Sequence, residues 1–521
     1  MRFRGDLRGG VSALPPQKFQ VAFYTYLCYI ITLRSSFLQE LFKGEFFNYR
    51  VCLMNFLKRF FKLQENNTTV KREVYSGTVT FLAVSYILAV NPAILGSTGM
   101  DRGGVFFVTA IAAAFGTLAM ALIANYPLVL APAMGLNAFF AYTVVSKMGY
   151  SWQFALFAVV VEGIVFFLLS VSSIREKIID AIPMPLKYAM GAGIGMFITL
   201  IAFKNAHIIK ANPETFMTIQ NFCGPGFSTA GISALLTLAG VLFAAWMMHR
   251  KISGALLYCI LGTWGLGIVC QLLGIYVPAP EEGFVSMLPH FNCAAFIEPL
   301  NGFCELFGSA FHVSRWTSRE SGVSGLPLLF SADFLVIGFA FFFTDFFDTV
   351  GTVNGAIVNT PLMKENGKIP RMRNILLADS IATLFGGILG TSTTSTFVES
   401  TIGIRSGART GLAALTCVMW FLLSLIFAPV FLAIPCFATA PALIIISFLM
   451  MKVIVLIDWN DITGALPAYL LIAGTVFTYN ISDGLGFGII SYTILNCRIK
   501  GRVNWLMWVI SLLFVLKYVC L

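Results

Sequence analysis

The chain has 521 residues, of which 58% are hydrophobic and 11% charged, and its mean hydropathy is +0.84. A soluble domain carries roughly 25% charge to keep its surface wetted, so a water-exposed globule is excluded and lipid must cover much of the surface. The +10 balance, 34 basic against 24 acidic residues, does not point to nucleic acid, because the basic residues cluster between apolar stretches as in cytoplasmic membrane loops.

Residues 1–53 hold one apolar run, Phe19 to Leu33, which is short for a span and lacks a small-residue cleavage site. A basic lead-in starts at Met54 (MNFLKRFFKLQENNTTVKRE). The expectation is that Met54 is the working start, or that 1–53 is a dispensable extension.

Fourteen apolar runs follow as expected spans, at about 73–96, 103–125, 128–147, 151–171, 185–203, 231–248 and 254–275 in the first half. The second half has about 328–352, 373–389, 392–406, 409–433, 439–457, 463–480 and 484–498, and a further stretch, 503–520, spans or lies in the interface. With a cytoplasmic N-terminus, the inner loops receive Arg175, Lys177 and Lys187; His249, Arg250 and Lys251; Lys364, Lys368, Arg371 and Arg373; Arg405 and Arg409; Lys452; and Arg498, Lys500 and Arg502. The longest outer loop, about 276–327, carries Glu281, Glu282, Glu298 and Glu305 against Arg315 and Arg319, so the positive-inside rule supports this orientation. Seven spans per half is an odd number, so an internal duplication has to be inverted. Inverted repeats place a binding site near the midplane, typically on broken helices.

The first break falls in span three, at Pro127-Leu-Val-Leu-Ala-Pro-Ala-Met-Gly-Leu-Asn137. Pro132 removes a donor and disfavours helix at Ala131, and Gly135 loosens the chain before an apolar helix resumes at Leu136. Asn137 next to it either lines a site or ties helices together. Glu162 lies mid-span four, where an internal structural partner is as reasonable as a functional role.

Asp345 and Asp348 follow in FFFTDFFD, spaced i and i+3 on one helix face. Asp379 lies near the start of span nine, close to a basic loop. The second break, in span ten, is Gly386-Gly-Ile-Leu-Gly-Thr-Ser-Thr-Thr-Ser-Thr-Phe-Val-Glu399, in which six hydroxyl residues run from Thr391 to Thr396. Irregular backbone at this depth lines a cavity or is buried in protein. Small-residue helix packing is the plainer alternative.

The physical reading is two extended pieces, each leading into a half-helix whose first N–H groups face a cavity and suit the carbonyls of a planar heterocycle. A charge inside the membrane costs several kcal/mol, so each buried acid is a functional candidate or an internal partner. A desolvated carboxyl can hold a proton and can also accept ring N–H groups, coupling the two. The 11 cysteines contain no CxxC pair and the four histidines stand apart, so neither a disulfide framework nor a metal site is expected.

The segments APAMGLNAFFAYTVV (131–145), FFFTDFFDTVGTVNG (341–355) and LLADSIATLFGGILGTSTTSTFVESTIGIRSGARTGL (376–412) resemble the AzgA-like hypoxanthine/guanine permeases, a branch of the xanthine/uracil permease superfamily of nucleobase–cation symporters. NNTTVKREVYSGTVTFLAVSYILAVNPAIL (66–95) and ANPETF (211–216) are also similar to that branch, and the resemblance runs from about Met54 to the C-terminus. It implies an all-α polytopic membrane protein of fourteen spans in two inverted seven-span repeats, about 73–275 and 328–498, with short strands and half-helices in spans three and ten. Spans one to four and eight to eleven would form a core domain within the transporter, residues 54–498, the remaining spans a gate that also makes a homodimer contact, and 499–521 an apolar tail.

The resemblance implies purine substrates with a proton as the coupling ion and no other cofactor, in a multi-pass plasma or inner membrane protein. Asp345 matches the acid of span eight, Glu399 the substrate-facing position of span ten, and Asp379 the span-nine acid linked to transport. The expected substrate-binding residues are Asp345, Glu399, Asn137, Gly135, Thr396, Phe397 and Ser400; the expected proton-coupling residues are Asp345, Glu399, Asp379 and Asp348. Two departures from the family pattern are residues 1–53 and the outer-loop segment Cys304 to Leu326, which resembles an insertion. Rival readings are a xanthine or uracil permease, an anion carrier of similar fold, and a channel. A membrane enzyme would need a nucleophile with a base, or a metal cluster, at one depth, and neither is found.

Overall fold

A computed structural model describes residues 55 and 57–520, apart from 172–182, 213–215, 223, 225, 253, 280–285, 289–293, 320–321, 358–359, 361, 363–368 and 498–502. The extension 1–53 lies outside the described residues, as do Arg175, Lys177, Glu281, Glu282, Lys364, Lys368, Arg498, Lys500 and Arg502 of the orientation argument. The chain divides into two compact units, Met1–Lys62 and Leu63–Leu521. In the first, described residues 57–60 are helical. The second is an assembly of helices.

Helix α1 (Val70–Val84) starts where the Thr69 hydroxyl accepts from the Arg72 N–H, satisfying one of the first-turn donors. It stops at Ser85–Tyr86, and α2 (Ile87–Leu95) resumes at once. The two together form one apolar stretch, Val70–Thr98, over the span expected at 73–96. Helix α3 (Arg102–Ala119) is capped by Asp101, whose carboxylate accepts the Gly104 N–H at 2.6 Å. A π-turn over Met120–Ala124 ends with Asn125 in the left-handed region, φ 51°. This reverses the chain into strand β1 (Leu130–Pro132). Helix α4 (Met134–Ala138) continues as a π-type segment, Phe139–Lys147, so the helix resumes two residues earlier than Leu136.

Next come α5 (Trp152–Val171), α6 (Met184–Asn205) and an antiparallel hairpin of β2 (Ile209–Asn212) and β3 (Phe216–Ile219). Helices α7 (Ile232–His249), α8 (Ala255–Leu272) and α9 (Ala294–Leu306) complete the first part. The second part contains α10 (Ala332–Ile357), α11 (Met372–Leu389), β4 (Thr394–Thr396) and α12 (Ser400–Ser406). It closes with α13 (Gly411–Ser424), α14 (Ala428–Leu432), α15 (Cys436–Met451), α16 (Ile462–Phe477), α17 (Ile481–Asn496) and α18 (Trp505–Cys520). The run expected at 409–433 is one apolar stretch, Gly411–Leu432, with a tighter turn at Leu425–Phe427 just ahead of Pro429.

Among the described residues, nine helical stretches are long and apolar enough to cross a membrane. This makes the chain a polytopic membrane protein. The interrupted segments at β1 and β4 do not read as continuous spans, α16 and α17 have 16 residues each, and α10 carries Asp333, Asp345 and Asp348.

Helices α1, α3, α5, α10, α11, α12 and α13 pack on one another, whereas α6 packs with α15 and α16, α16 with α17, and α7 and α8 with α15. Small residues set the close approaches, as in other membrane helix pairs. A Cβ on Gly163 would lie 2.7 Å from the Leu384 backbone, and one on Gly195 2.8 Å from the Ser447 carbonyl. Within the segment 304–326, Trp316 is fully buried against Phe157 of α5, 4.5 Å between rings, and Arg319 N–H donates to the Gly149 carbonyl at 3.0 Å.

Candidate functional site

Strands β1 and β4 pair antiparallel, with Leu130 opposite Thr396, Ala131 opposite Ser395 and Pro132 opposite Thr394. The pairing extends one residue each way through Ala133 N–H to the Thr393 carbonyl (2.9 Å) and Phe397 N–H to the Val129 carbonyl (3.0 Å). Side chains satisfy the remaining edge, because Thr117 Oγ1 accepts the Leu130 N–H at 3.1 Å and Ser400 Oγ accepts the Val129 N–H at 3.0 Å. Pro132 donates nothing to the ladder, and its place at the end of a short strand makes that loss tolerable. The two breaks are thus joined in one two-stranded crossing, each strand followed by a short helix, α4 or α12.

All six hydroxyl residues from Thr391 to Thr396 are buried, and each is tied into neighbouring structure. Asn91 Nδ2 donates to Thr391 at 3.3 Å, Ser392 donates to Asn137 Oδ1, and Thr393 donates to Glu162 Oε2 at 2.7 Å. Thr383 donates to the Thr394 carbonyl at 2.9 Å. Helix α10 lies along the other side: Thr349 meets Ser395 at 3.0 Å and Thr352 meets Thr396 at 2.5 Å. Residues 345, 348, 349 and 352 form one helical stripe facing the strand, the i, i+3, i+4, i+7 spacing of a single face.

The acids separate into two environments. Asp345, Asp379 and Glu162 are buried to 2% exposure or less. Asp345 Oδ2 accepts from Thr383 at 3.3 Å, Asp379 Oδ2 accepts from Thr349 at 2.5 Å, and Glu162 Oε2 accepts from Thr393 at 2.7 Å, with the Glu162 and Asp345 carboxyls adjoining. Asp348 and Glu399 are only half-buried and act on each other electrostatically. Glu399 Oε1 accepts from the Tyr86 hydroxyl at 2.9 Å, and the Tyr86 ring lies 6.4 Å from that of Phe397.

The i, i+3 pair is therefore divided, with Asp345 facing the buried network and Asp348 the half-open side shared with Glu399. Asn137 is fully buried, and its Nδ2 finds no acceptor within the protein among the described residues. Gly135 sits where a Cβ would lie 2.6 Å from Ile194 Cγ2 on α6. Thr396, Phe397 and Ser400 belong to the strand crossing itself. Tyr86 and Thr349 escape the sequence reading, and Thr393 enters it only as part of the hydroxyl run 391–396. The one available signal for Tyr86 is the Ser85–Tyr86 polar pair inside an apolar run.

At the turn between α3 and β1, the Tyr126 phenol, pushed up to about 12 by burial, donates to the Pro370 carbonyl at 2.9 Å. Arg371 reaches the Ala124 carbonyl at 3.0 Å, and Gly411 N–H donates to Asn125 Oδ1 at 2.8 Å. These contacts link the chain reversals that precede and follow the two strands.

The permease family model Xan_ur_permease matches residues 71–485. The chain is 38% identical to the guanine/hypoxanthine permease PbuG of Bacillus subtilis, over 89% of this chain and all of that one. It is 36% identical to the adenine permease AdeP of Escherichia coli, over 89% and 96% of the two chains. Among solved structures, it resembles the transmembrane domain of a cyanobacterial bicarbonate transporter, BicA, with a TM-score of 0.52 and 16% identity over 79% of this chain and 97% of that one. At that identity the likeness concerns the fold alone.

Proposed function

Because this chain belongs to the xanthine/uracil permease family, and is a transporter rather than an enzyme, we propose that it takes up purine nucleobases across the cell membrane by proton symport. The relatives named for guanine, hypoxanthine and adenine support a purine substrate. The observation that carries the reading is the antiparallel crossing of β1 and β4 with a half-buried acid pair, Asp348 and Glu399, beside a fully buried acid group. Carboxylates that accept ring N–H groups suit a purine, and two acids at the site disfavour an anion as cargo.

In this reading the chain has fourteen spans in two inverted repeats, the crossed strands mark spans three and ten, and the N-terminus is cytoplasmic. Helices α1–α5 and α10–α14 form a core that moves against a gate of α6–α8 and α15–α17, exposing the site to either side in turn. A second copy docks through the gate. Glu399, Asp345, Asn137 and Gly135 bind the base together with Thr396, Phe397 and Ser400, and Asp345, Asp348, Asp379 and Glu399 carry the coupling.

Uptake of radiolabelled hypoxanthine, guanine, adenine, xanthine and uracil in transport-deficient cells, with and without a protonophore, tests this. Saturable purine uptake that collapses with the proton gradient is the expected result, and uptake indifferent to the protonophore refutes the coupling. Asp345→Asn and Glu399→Gln should abolish uptake while the protein still reaches the membrane.

A further inference from the structure

Glu162 belongs to none of the groups so far given a role. It sits in the middle of α5, where Gly163 and Gly387 let α5 and α11 approach to backbone contact: a Cβ on Gly163 would lie 2.7 Å from Leu384 N and one on Gly387 3.1 Å from Val160 N. That closeness brings Glu162 into one layer with Asp379 of α11 and Asp345 of α10. Its exposure is 2%, its Oε2 accepts from Thr393 at 2.7 Å, its Oε1 has no donor among the described residues, and the Asp345 carboxyl adjoins it. The charged groups that act on it most strongly are both acids: Asp379 by its field and Asp345 by direct contact. Two buried carboxyls that adjoin each other do not both stay ionised; when one keeps its proton, its O–H can donate to the other. In a membrane interior the alternative, adjacent unprotonated charges, is far costlier than holding the proton.

We propose that Glu162 and Asp345 together hold one transported proton between them, with Glu162 as the member that never touches the purine. The inference rests on the proton-symport reading above. Thr393 then serves as the link to the substrate side: its hydroxyl is spent on Glu162 while its carbonyl pairs with Ala133 at the head of α4. A shift of the strand crossing on substrate binding or release is thereby felt by the carboxyl pair, and the proton is bound or released as the crossing moves. Because the two sites are linked, the proton changes purine affinity by the factor with which the purine changes proton affinity. Glu162 acts through Asp345 and Thr393 and is a positioning residue in that sense.

The test uses the full-length protein in lipid nanodiscs, with hypoxanthine binding measured calorimetrically across pH and the protonated-carboxyl stretch followed by infrared spectroscopy. In the wild type, acidification should tighten hypoxanthine binding by about tenfold, a common size for coupled sites, and an infrared band of a protonated carboxyl should be present. Glu162→Gln should remove the band and flatten the pH dependence while hypoxanthine still binds. Asp345→Asn should remove the same band. Thr393→Val, which keeps both carboxyls and the strand's shape, should move the band's frequency, and covers the case in which Glu162→Gln fails to fold. Bands that persist unchanged in Glu162→Gln, or in Thr393→Val, overturn the proposal. If the wild type binds no purine at any pH, the transport reading fails instead, and the infrared arm still decides whether the pair holds a proton.

Discussion

Tyr86 and Glu399 are 313 positions apart in the chain, yet the tyrosine hydroxyl donates to the glutamate at 2.9 Å. A half-buried carboxylate with one fixed donor keeps its second oxygen available to a ligand and loses rotamer freedom before the ligand arrives. Tyr86→Phe removes only that donor, and a hydrogen bond to a charged group contributes about 1.5–3 kcal/mol. Purine affinity should therefore fall on the order of tenfold to a hundredfold in a direct binding measurement, with protein yield unchanged. Glu399→Asp keeps the charge but draws the carboxyl back from Tyr86, and should show a loss of similar size. Asp379 differs in kind: buried with Thr349 at 2.5 Å, it is one bond removed from the strand through Ser395. Thr349→Val should consequently impair uptake without direct substrate contact, seen as a fall in the maximal rate larger than any change in the half-saturating concentration.

The two breaks that form the crossing of β1 and β4 could be read from residue types alone, whereas their meeting was implied only by the family resemblance. Six successive hydroxyl residues after three glycines, and Pro132 before Gly135, are incompatible with an ordinary membrane helix, and both segments do break. The stripe 345/348 was equally legible, since helical spacing puts the two on one face. Tyr86 was hidden because Ser85 and Tyr86 lie in a run apolar enough to pass as continuous helix, and its partner Glu399 lies 313 positions away. Glu162 was undervalued for a similar reason: Thr393, its donor, is 231 positions away, and no local pattern announces the contact. The partition of the acids, Asp345 inward and Asp348 toward the half-open side, depends on the rotation of α10, which spacing does not determine.

Gly135 adds an element-scale expectation. Its missing side chain allows α4 to lie against Ile194 of α6, and a Cβ there would come within 2.6 Å. Gly135→Val overfills that contact, a change that typically costs about 1–3 kcal/mol. In the proposed arrangement α4 belongs to the core and α6 to the gate, so the cost should appear as slowed uptake rather than as lost protein, measured by rates at matched expression.

Across the whole molecule, polar contacts bridge those two groups at the end where the expected outer loops lie. Lys147, at the end of the π-type segment after α4, donates to the Thr478 carbonyl at 2.6 Å and lies 3.9 Å from Asp483 at the start of α17. Nearby, Asn205 of α6 donates to the Tyr142 hydroxyl at 3.0 Å, and Tyr142 packs edge-on to Tyr479. A carrier that exposes its site alternately has to open this seam once per cycle. Cysteines placed at Lys147 and Asp483 and joined by a cleavable bifunctional reagent should stop uptake, and cleavage should restore it. Full activity in the joined protein would mean that the seam does not open.

One ribbon of the crossing, Leu130–Pro132, comes early in the chain and its partner, Thr394–Thr396, comes late. Cut the polypeptide in the long outer loop, and each fragment would carry a lone extended segment whose amide edge meets hydrocarbon with nothing to satisfy it, an arrangement that membranes do not tolerate. Neither fragment should persist in the bilayer when made alone. Co-expressed, they should find each other and regain uptake, because the mate each one lacks is carried by the other.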